Sequence, residues 1–293
     1  MSDDLIPPGV RSRLKRLRLA ARRAVGVQGI GAHRSRSRGS GLEFAQYRAY
    51  EQGDEPRQID WKLYARSDKF FVREAERESP LTLWVLIDLS ASMGQGDAAR
   101  PGYARLDAAR TLAACLAELA IAEGDRFGLI ALHEDGLRMV PPGSGPRHRD
   151  RLLIELHRLA AGGGFPAPDR LAALWERVAA RDLVVLLSDC FDDGAVALVE
   201  RLAAAGRETL AIQLLTAEER DFPFSDGRKF RDPETGDELI GDGRAMRDDF
   251  IARFAAARAA LDARFDAAGI RHAAHILDEA PDLPLQRLFG GRG

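Results

Sequence analysis

The chemistry in this chain concentrates in the string Leu86-Ile87-Asp88-Leu89-Ser90-Ala91-Ser92-Met93, where an apolar run ends in one carboxylate and two hydroxyls at alternate positions. Just past a strand end, side chains two residues apart can turn their oxygens into one pocket, and hard oxygen donors suit a magnesium-like ion. A second apolar run, Leu183 to Leu187, ends in Ser188-Asp189. If both runs are parallel strands, Asp88 and Asp189 reach the same carboxyl edge, where ligands bind in open α/β sheets. Two carboxylates there repel each other unless a cation or a proton compensates. The competing reading makes Asp88 and Ser90 caps of the turn that follows, a routine use of these residue types.

Other candidates carry less. His272 and His275 are three apart, so on a strand they face opposite sides and do not form a metal pair. Cys190 directly follows Asp189 and reads as a small buried residue. Gly162-Gly163-Gly164 lacks the Lys-Ser/Thr of a phosphate loop, and the chain contains no such loop elsewhere, so it is not expected to hydrolyse ATP itself. A metal-dependent phosphohydrolase with Asp88 as nucleophile is the enzymatic alternative. Haloacid-dehalogenase-like enzymes work this way but need a second acid two residues on, where this chain has Ser90, and the sequence shows no general base beside Asp88.

The elements that must position these residues are legible from periodicity. Leu81 to Ile87, Leu183 to Leu187 and Thr209 to Leu215 read as buried strands, and Phe127 to Leu132 with Leu137 to Val140 as a pair joined at Glu134-Asp135-Gly136. Helices are predicted over Tyr103 to Ala122, closed by Gly124, and over Arg149 to Ala160, Arg170 to Ala180 and Ala195 to Ala205. The polar stretch 218–247 reads as a projecting hairpin. After it, the stripe Phe250, Phe254, Ala257, Leu261 and Phe265 marks a long helix ending at Gly269, before a last strand near His272 to Leu277. Alternating strands and helices predict an α/β fold, a doubly wound, mostly parallel sheet covered on both faces.

Composition sets the class. The 293 residues are 45% hydrophobic, 30% charged and 7% aromatic, with a net charge of −2, as in an ordinary soluble chain of about two domains. Two cysteines, Cys115 and Cys190, exclude a disulfide framework. No uncharged apolar run approaches the roughly 18 residues of a membrane span, and Met1 to Val10 does not read as a secretory signal, so a cytoplasmic protein is expected. Residues 1–38 hold ten Lys and Arg against Asp3 and Asp4. This basic stretch reads as a solvated helix and a flexible Ser-Arg linker, with binding to an acidic partner, anionic lipid or nucleic acid as the alternative. The absence of interleaved aromatics disfavours nucleic acid.

The Asp88-x-Ser90-x-Ser92 string and the strand-helix order resemble a von Willebrand factor A-type domain with a metal-ion-dependent adhesion site. That resemblance implies Asp88, Ser90, Ser92 and Asp189 as ligands of Mg2+ or Mn2+. Its usual Thr is missing: the glycine-rich loop has Phe165 there, with Asp169 or a water as possible substitutes.

A second resemblance covers the segment from Gly41 to Glu78. Its string Tyr47-Arg48-Ala49-Tyr50-Glu51-Gln52-Gly53-Asp54-Glu55-Pro56-Arg57-Gln58-Ile59-Asp60-Trp61, followed by Arg66 and by Arg73-Glu74, is similar to the bacterial family called domain of unknown function 58. Members of that family place this segment before a von Willebrand A-like domain. The charges in it read as an ionic network docking the segment on the sheet, or as a partner surface with arginine forks left for acidic groups. The expected organisation is a basic tail (1–40), the signature segment (41–79) and the von Willebrand A-like domain (80–293). The resemblance implies a non-enzymatic interaction protein working with a MoxR-type AAA+ ATPase in chaperone-like maturation or assembly of other proteins. Neither client nor oligomeric state is readable from the sequence.

Overall fold

A computed structural model describes residues 5–19, 43–51, 54, 56, 59–76, 80–231 and 236–290. The chain divides into two compact units, one made of Met1–Gly26 with Leu81–Gly293 and the other of Val27–Pro80. In chain order the helices are α1 (Pro8–Leu14), α2 (Trp61–Ser67), α3 (Arg105–Glu123), α4 (Pro146–Arg158), α5 (Ala172–Arg177), α6 (Asp193–Ala204), α7 (Ala217–Asp221), α8 (Gly243–Ala267) and α9 (Leu283–Phe289). The strands are β1 (Glu43–Ala49), β2 (Phe71–Glu76), β3 (Thr82–Asp88), β4 (Gly96–Asp97), β5 (Arg100–Ala104), β6 (Arg126–His133), β7 (Gly136–Gly143), β8 (Leu183–Ser188), β9 (Glu208–Leu215), β10 (Gly227–Arg231), β11 (Glu238–Asp242) and β12 (Arg271–Ile276).

The larger unit is the expected doubly wound sheet. Six strands lie in the order β12-β9-β8-β3-β6-β7, all parallel except β7, which returns antiparallel along β6. The chain builds outward from β3 through β6 and β7, then crosses back to build the other half from β8. The direction of winding therefore reverses between β3 and β8, and a crevice opens at their carboxyl ends. Both strands are apolar on both faces because helices cover both. Leu83, Val85 and Ile87 of β3 join one core layer with α3, while Trp84 and Leu86 join the opposite layer with Leu174 of α5, Val199 of α6 and Phe265 of α8.

α3 is apolar almost all round, from Leu106 to Ala120, because it lies beneath other helices as well as on the sheet. It starts two residues after the predicted Tyr103: residues 100–104 form β5 and pair with β4 in a small antiparallel ribbon. The predicted helix over Arg170 to Ala180 is shorter, a 3-10 turn (Pro168–Leu171) followed by α5. The polar stretch 218–247 is only partly a hairpin. α7 takes its start, β10 and β11 pair antiparallel, and α8 already begins at Gly243. Phe222 fastens the hairpin to α8, its ring 5.8 Å from Phe230 and 4.5 Å from Phe250.

The first part of the basic stretch is no solvated tail. Ile6, Val10, Leu14, Leu17 and Leu19 are buried in the same core layer as α3. Arg13 clamps Asp282 at 2.6 Å, and the Leu19 N–H donates to Glu123 at 2.9 Å. The apolar side of α1 is a core element, and its basic residues line the other side. The Ser-Arg linker lies outside the described residues.

In the smaller unit, β1 and β2 form an antiparallel ribbon, from Glu43 opposite Glu76 to Ala49 opposite Phe71. Asp60 caps α2 by accepting the N–H groups of Lys62 and Leu63. Tyr64 stacks on Phe70 at 4.5 Å between centroids, and Trp61 stands edge-on to both.

Candidate metal centre

β3 delivers Asp88 as its last residue, and β8 ends in Ser188 with Asp189 next, so the two carboxylates meet at the reversal point of the sheet. Asp88, Ser90, Ser92, Ser188 and Asp189 are all buried. The Asp88 carboxylate accepts the Ser90 N–H at Oδ1 (2.8 Å) and the Ser188 hydroxyl at Oδ2 (2.7 Å). The Ser90 and Ser92 hydroxyls lie 3.0 Å apart. Burial pushes the Asp88 carboxyl up to about 6, with the Asp189 charge acting the same way against the hydrogen bonds from Ser188 and Ser90.

Asp189 is aimed by the residue after it. Cys190 takes a left-handed conformation (φ 58°), uncommon outside glycine, and the turn lets Asp189 Oδ1 accept the Phe191 N–H at 3.2 Å. Asp189 Oδ2 accepts Nη1 of Arg105 at 3.1 Å, and its main-chain carbonyl accepts Nε2 of Gln213 at 3.0 Å. The Cys190 thiol is buried and pushed up by that burial and by both aspartates, so at neutral pH it is protonated.

Arg105, the first residue of α3, has 0% of its surface exposed. Its Nη1 also donates to the Ser92 carbonyl at 2.9 Å and to Gln95 Oε1 at 3.2 Å, while Nη2 pairs with Glu219 of α7. Its Nε has no hydrogen-bond partner among the described residues. The guanidinium lies 5.2 Å from the centre of the Phe191 ring, which is 52% exposed at the rim of the site. Sequence reasoning missed Arg105. A signal was present, since a cation in the first turn of a helix opposes the helix dipole and needs carboxylates to hold it.

The glycine-rich loop does reach the motif. Ala91 N–H donates to the Gly163 carbonyl and Gly162 N–H to the Leu89 carbonyl, each at 2.8 Å, and Glu134 accepts the Gly164 N–H at 3.0 Å. Gly163 has φ 65°, and a Cβ there would run into the Glu134 carboxylate. Phe165 packs against the apolar layer and lies beside Gly194. Asp169 is exposed on the 3-10 turn and shares no hydrogen bond with the four expected ligands. His133, Glu134 and Asp135 bring ligand atoms within 4.8 Å of one another, with Glu134 and Asp135 exposed at the β6–β7 turn.

The donor set suits a hard divalent cation: two carboxylates and two neighbouring hydroxyls, with a buried carboxylate whose charge is undercompensated. Asp88, Ser90, Ser92 and Asp189 would hold it, and Ser188 orients Asp88 from behind.

Of the signature residues, Tyr50, Asp54, Asp60, Trp61 and Arg66 are described. Asp60 is the cap of α2, Asp54 accepts the Glu51 N–H at 2.9 Å, and Tyr50 lies 6.2 Å from Phe70. Gly53 and Arg57 lie outside the described residues, and for Arg48, Arg73 and Glu74 only the strand backbone is described.

Among solved structures, the chain is similar to the conserved hypothetical protein BatB from Bacteroides thetaiotaomicron, at 13% identity over 71% of this chain and 97% of that one, with a TM-score of 0.43. It is also similar to the SpRpn10 VWA domain, at 14% identity over 72% of this chain and 94% of that one, with a TM-score of 0.40. An uncharacterized protein of Mycobacterium tuberculosis is 29% identical over 261 residues, covering 87% of this chain and 81% of the relative. The family described as "Protein of unknown function DUF58" matches residues 46–260, from the β1–β2 ribbon through five of the six strands of the sheet and into α8, and the chain belongs to that family.

Proposed function

We propose that this protein is a non-enzymatic interaction module whose partner completes the coordination of a divalent cation, Mg2+ or Mn2+, held by Asp88, Ser90, Ser92 and Asp189. The observation that carries this reading is the meeting of two buried carboxylates and two hydroxyls at the carboxyl ends of β3 and β8, with Asp88 pushed up by burial and by its neighbour's charge. A bound ion would relieve that repulsion and keep a position open for an acidic group of the partner. Both Asp88 oxygens are engaged by Ser90 and Ser188, which suits a ligand held in place better than a nucleophile that must attack. The exposed Phe191 at the rim offers an apolar contact beside the ion.

The family resemblance supplies a partner class, a MoxR-type AAA+ ATPase, with chaperone-like maturation or assembly of client proteins as the joint task. The chain's lack of a phosphate loop fits a division of labour in which the ATPase hydrolyses nucleotide and this protein supplies contacts. Calorimetric titration with Mn2+ and capture of the ATPase, each with Asp88→Ala and Asp189→Ala, test the reading. Ion binding and ion-dependent capture should both vanish in variants that keep the wild-type circular dichroism. Capture undiminished in both variants would remove the ion from the mechanism.

A further inference from the structure

Both oxygens of Asp189 are already engaged, Oδ1 by the Phe191 N–H at 3.2 Å and Oδ2 by Arg105 at 3.1 Å. The same guanidinium binds Glu219, whose other oxygen accepts the Thr216 N–H at 2.8 Å while its own N–H donates to the Thr216 hydroxyl at 3.1 Å, the reciprocal bonds that start α7. One buried cation is thus shared by a candidate ion ligand and by a helix more than a hundred residues away in the chain. A divalent ion brought to Asp189 would share that carboxylate with a full positive charge a few ångströms away, in a setting that screens poorly.

We propose that Arg105 is a positioning residue that sets the cation affinity of this site and reports its occupancy to α7. The inference rests on the ion-site reading above. With no ion, the guanidinium holds Asp189 and Glu219 together. When an ion takes Asp189, the guanidinium is pushed toward Glu219, which then gives up part of its hold on the Thr216 N–H. The Phe191 ring, lying over the guanidinium, shifts with it. Arg105 therefore opposes the ion, and the contact surface at the rim differs between the two states.

The test combines Mn2+ titration calorimetry with amide hydrogen exchange on the full chain. Arg105→Gln frees Asp189 and should bind Mn2+ about tenfold or more tightly than wild type. Arg105→Lys keeps the charge and should stay near the wild-type affinity. Glu219→Gln leaves the guanidinium wholly to Asp189 and should weaken binding by about threefold or more. Mn2+ should speed amide exchange across Ala217–Asp221 in wild type and leave it unchanged in Arg105→Gln. Equal or weaker binding by Arg105→Gln overturns the proposal. Should that variant lack the wild-type circular dichroism, Glu219→Gln decides, and equal or tighter binding by it overturns the proposal. Binding alike in all these proteins sinks this inference alone, whereas no Mn2+ binding by any of them sinks the ion site with it.

Discussion

His275 sits near the end of β12 with its side chain buried, and neither ring nitrogen has a hydrogen-bond partner among the described residues. Burial and the nearby Arg100 bring its pKa down to about 4, with Arg287 acting the same way and Asp278 opposing. The unfolded chain therefore takes up this proton first as pH falls. The neutral ring's contribution is fully present above about pH 6.5 and is lost toward pH 4, about 3 kcal/mol in all. In the ion-free protein Asp88 runs the other way: its raised pKa gives stability that is present at low pH and lost as pH rises through about 6. Over pH 4 to 6 the two nearly cancel. His275→Leu should unmask Asp88, so that the thermal midpoint in chelator rises between pH 7 and pH 5, where that of wild type stays nearly flat. Parallel pH profiles for the two proteins would refute this account of His275. At this scale the meeting of Asp88 and Asp189 was readable in the sequence, because two apolar runs that each end in a carboxylate reach one carboxyl edge if both are parallel strands. Arg105 was hidden because a lone arginine before a helix looks like surface until its carboxylates, 84 and 114 residues away, are folded against it.

Among elements, strands were the most legible, since five or more consecutive apolar residues bounded by charge leave little else to build. α7 and the β4–β5 ribbon were not, being only five residues or fewer each and largely polar. The start of α8 was misplaced for a related reason: its first turns bury little beyond Gly243, so no apolar stripe announces them. α1 shows the opposite failure. Its arginines masked an apolar face of Val10 and Leu14 that is continuous with Leu17 and Leu19. Leu14→Ala should cost about 2–4 kcal/mol in urea denaturation, the usual range for a buried leucine, where a solvated helix would lose almost nothing. Deleting residues 1–38 would consequently remove part of the core together with the basic charge, so it cannot serve as a clean test of a charged tail.

For the molecule as a whole, the two units offer two kinds of surface. The larger presents the candidate ion site with Phe191. The smaller presents Trp61 (58% exposed) and Phe70 (44% exposed) against Tyr64, with Lys62, Arg66 and Lys69 making no ion pair among the described residues. Tryptophan, tyrosine and arginine are the residue types that dominate protein interfaces. If the proposed ATPase partner docks there, Trp61→Ala combined with Arg66→Glu should weaken its capture by about tenfold or more while leaving Mn2+ affinity at the wild-type value. Loss of ion binding in that pair, or capture at the wild-type level, would count against a separate contact surface on the smaller unit.

The clamp between Arg13 and Asp282 spans 269 positions of sequence, and α1 packs in the same layer as α9. Bringing such distant stretches together is slow, because loop-closure entropy must be overcome before the contact rewards it. During synthesis Arg13 therefore has no Asp282 to clamp until the 269 positions that separate them have been made. The apolar side of α1 can seat on α3 well before that, so the nascent protein carries a greasy, arginine-flanked handle until α3 has emerged, and the Arg13 latch then locks a helix already in place.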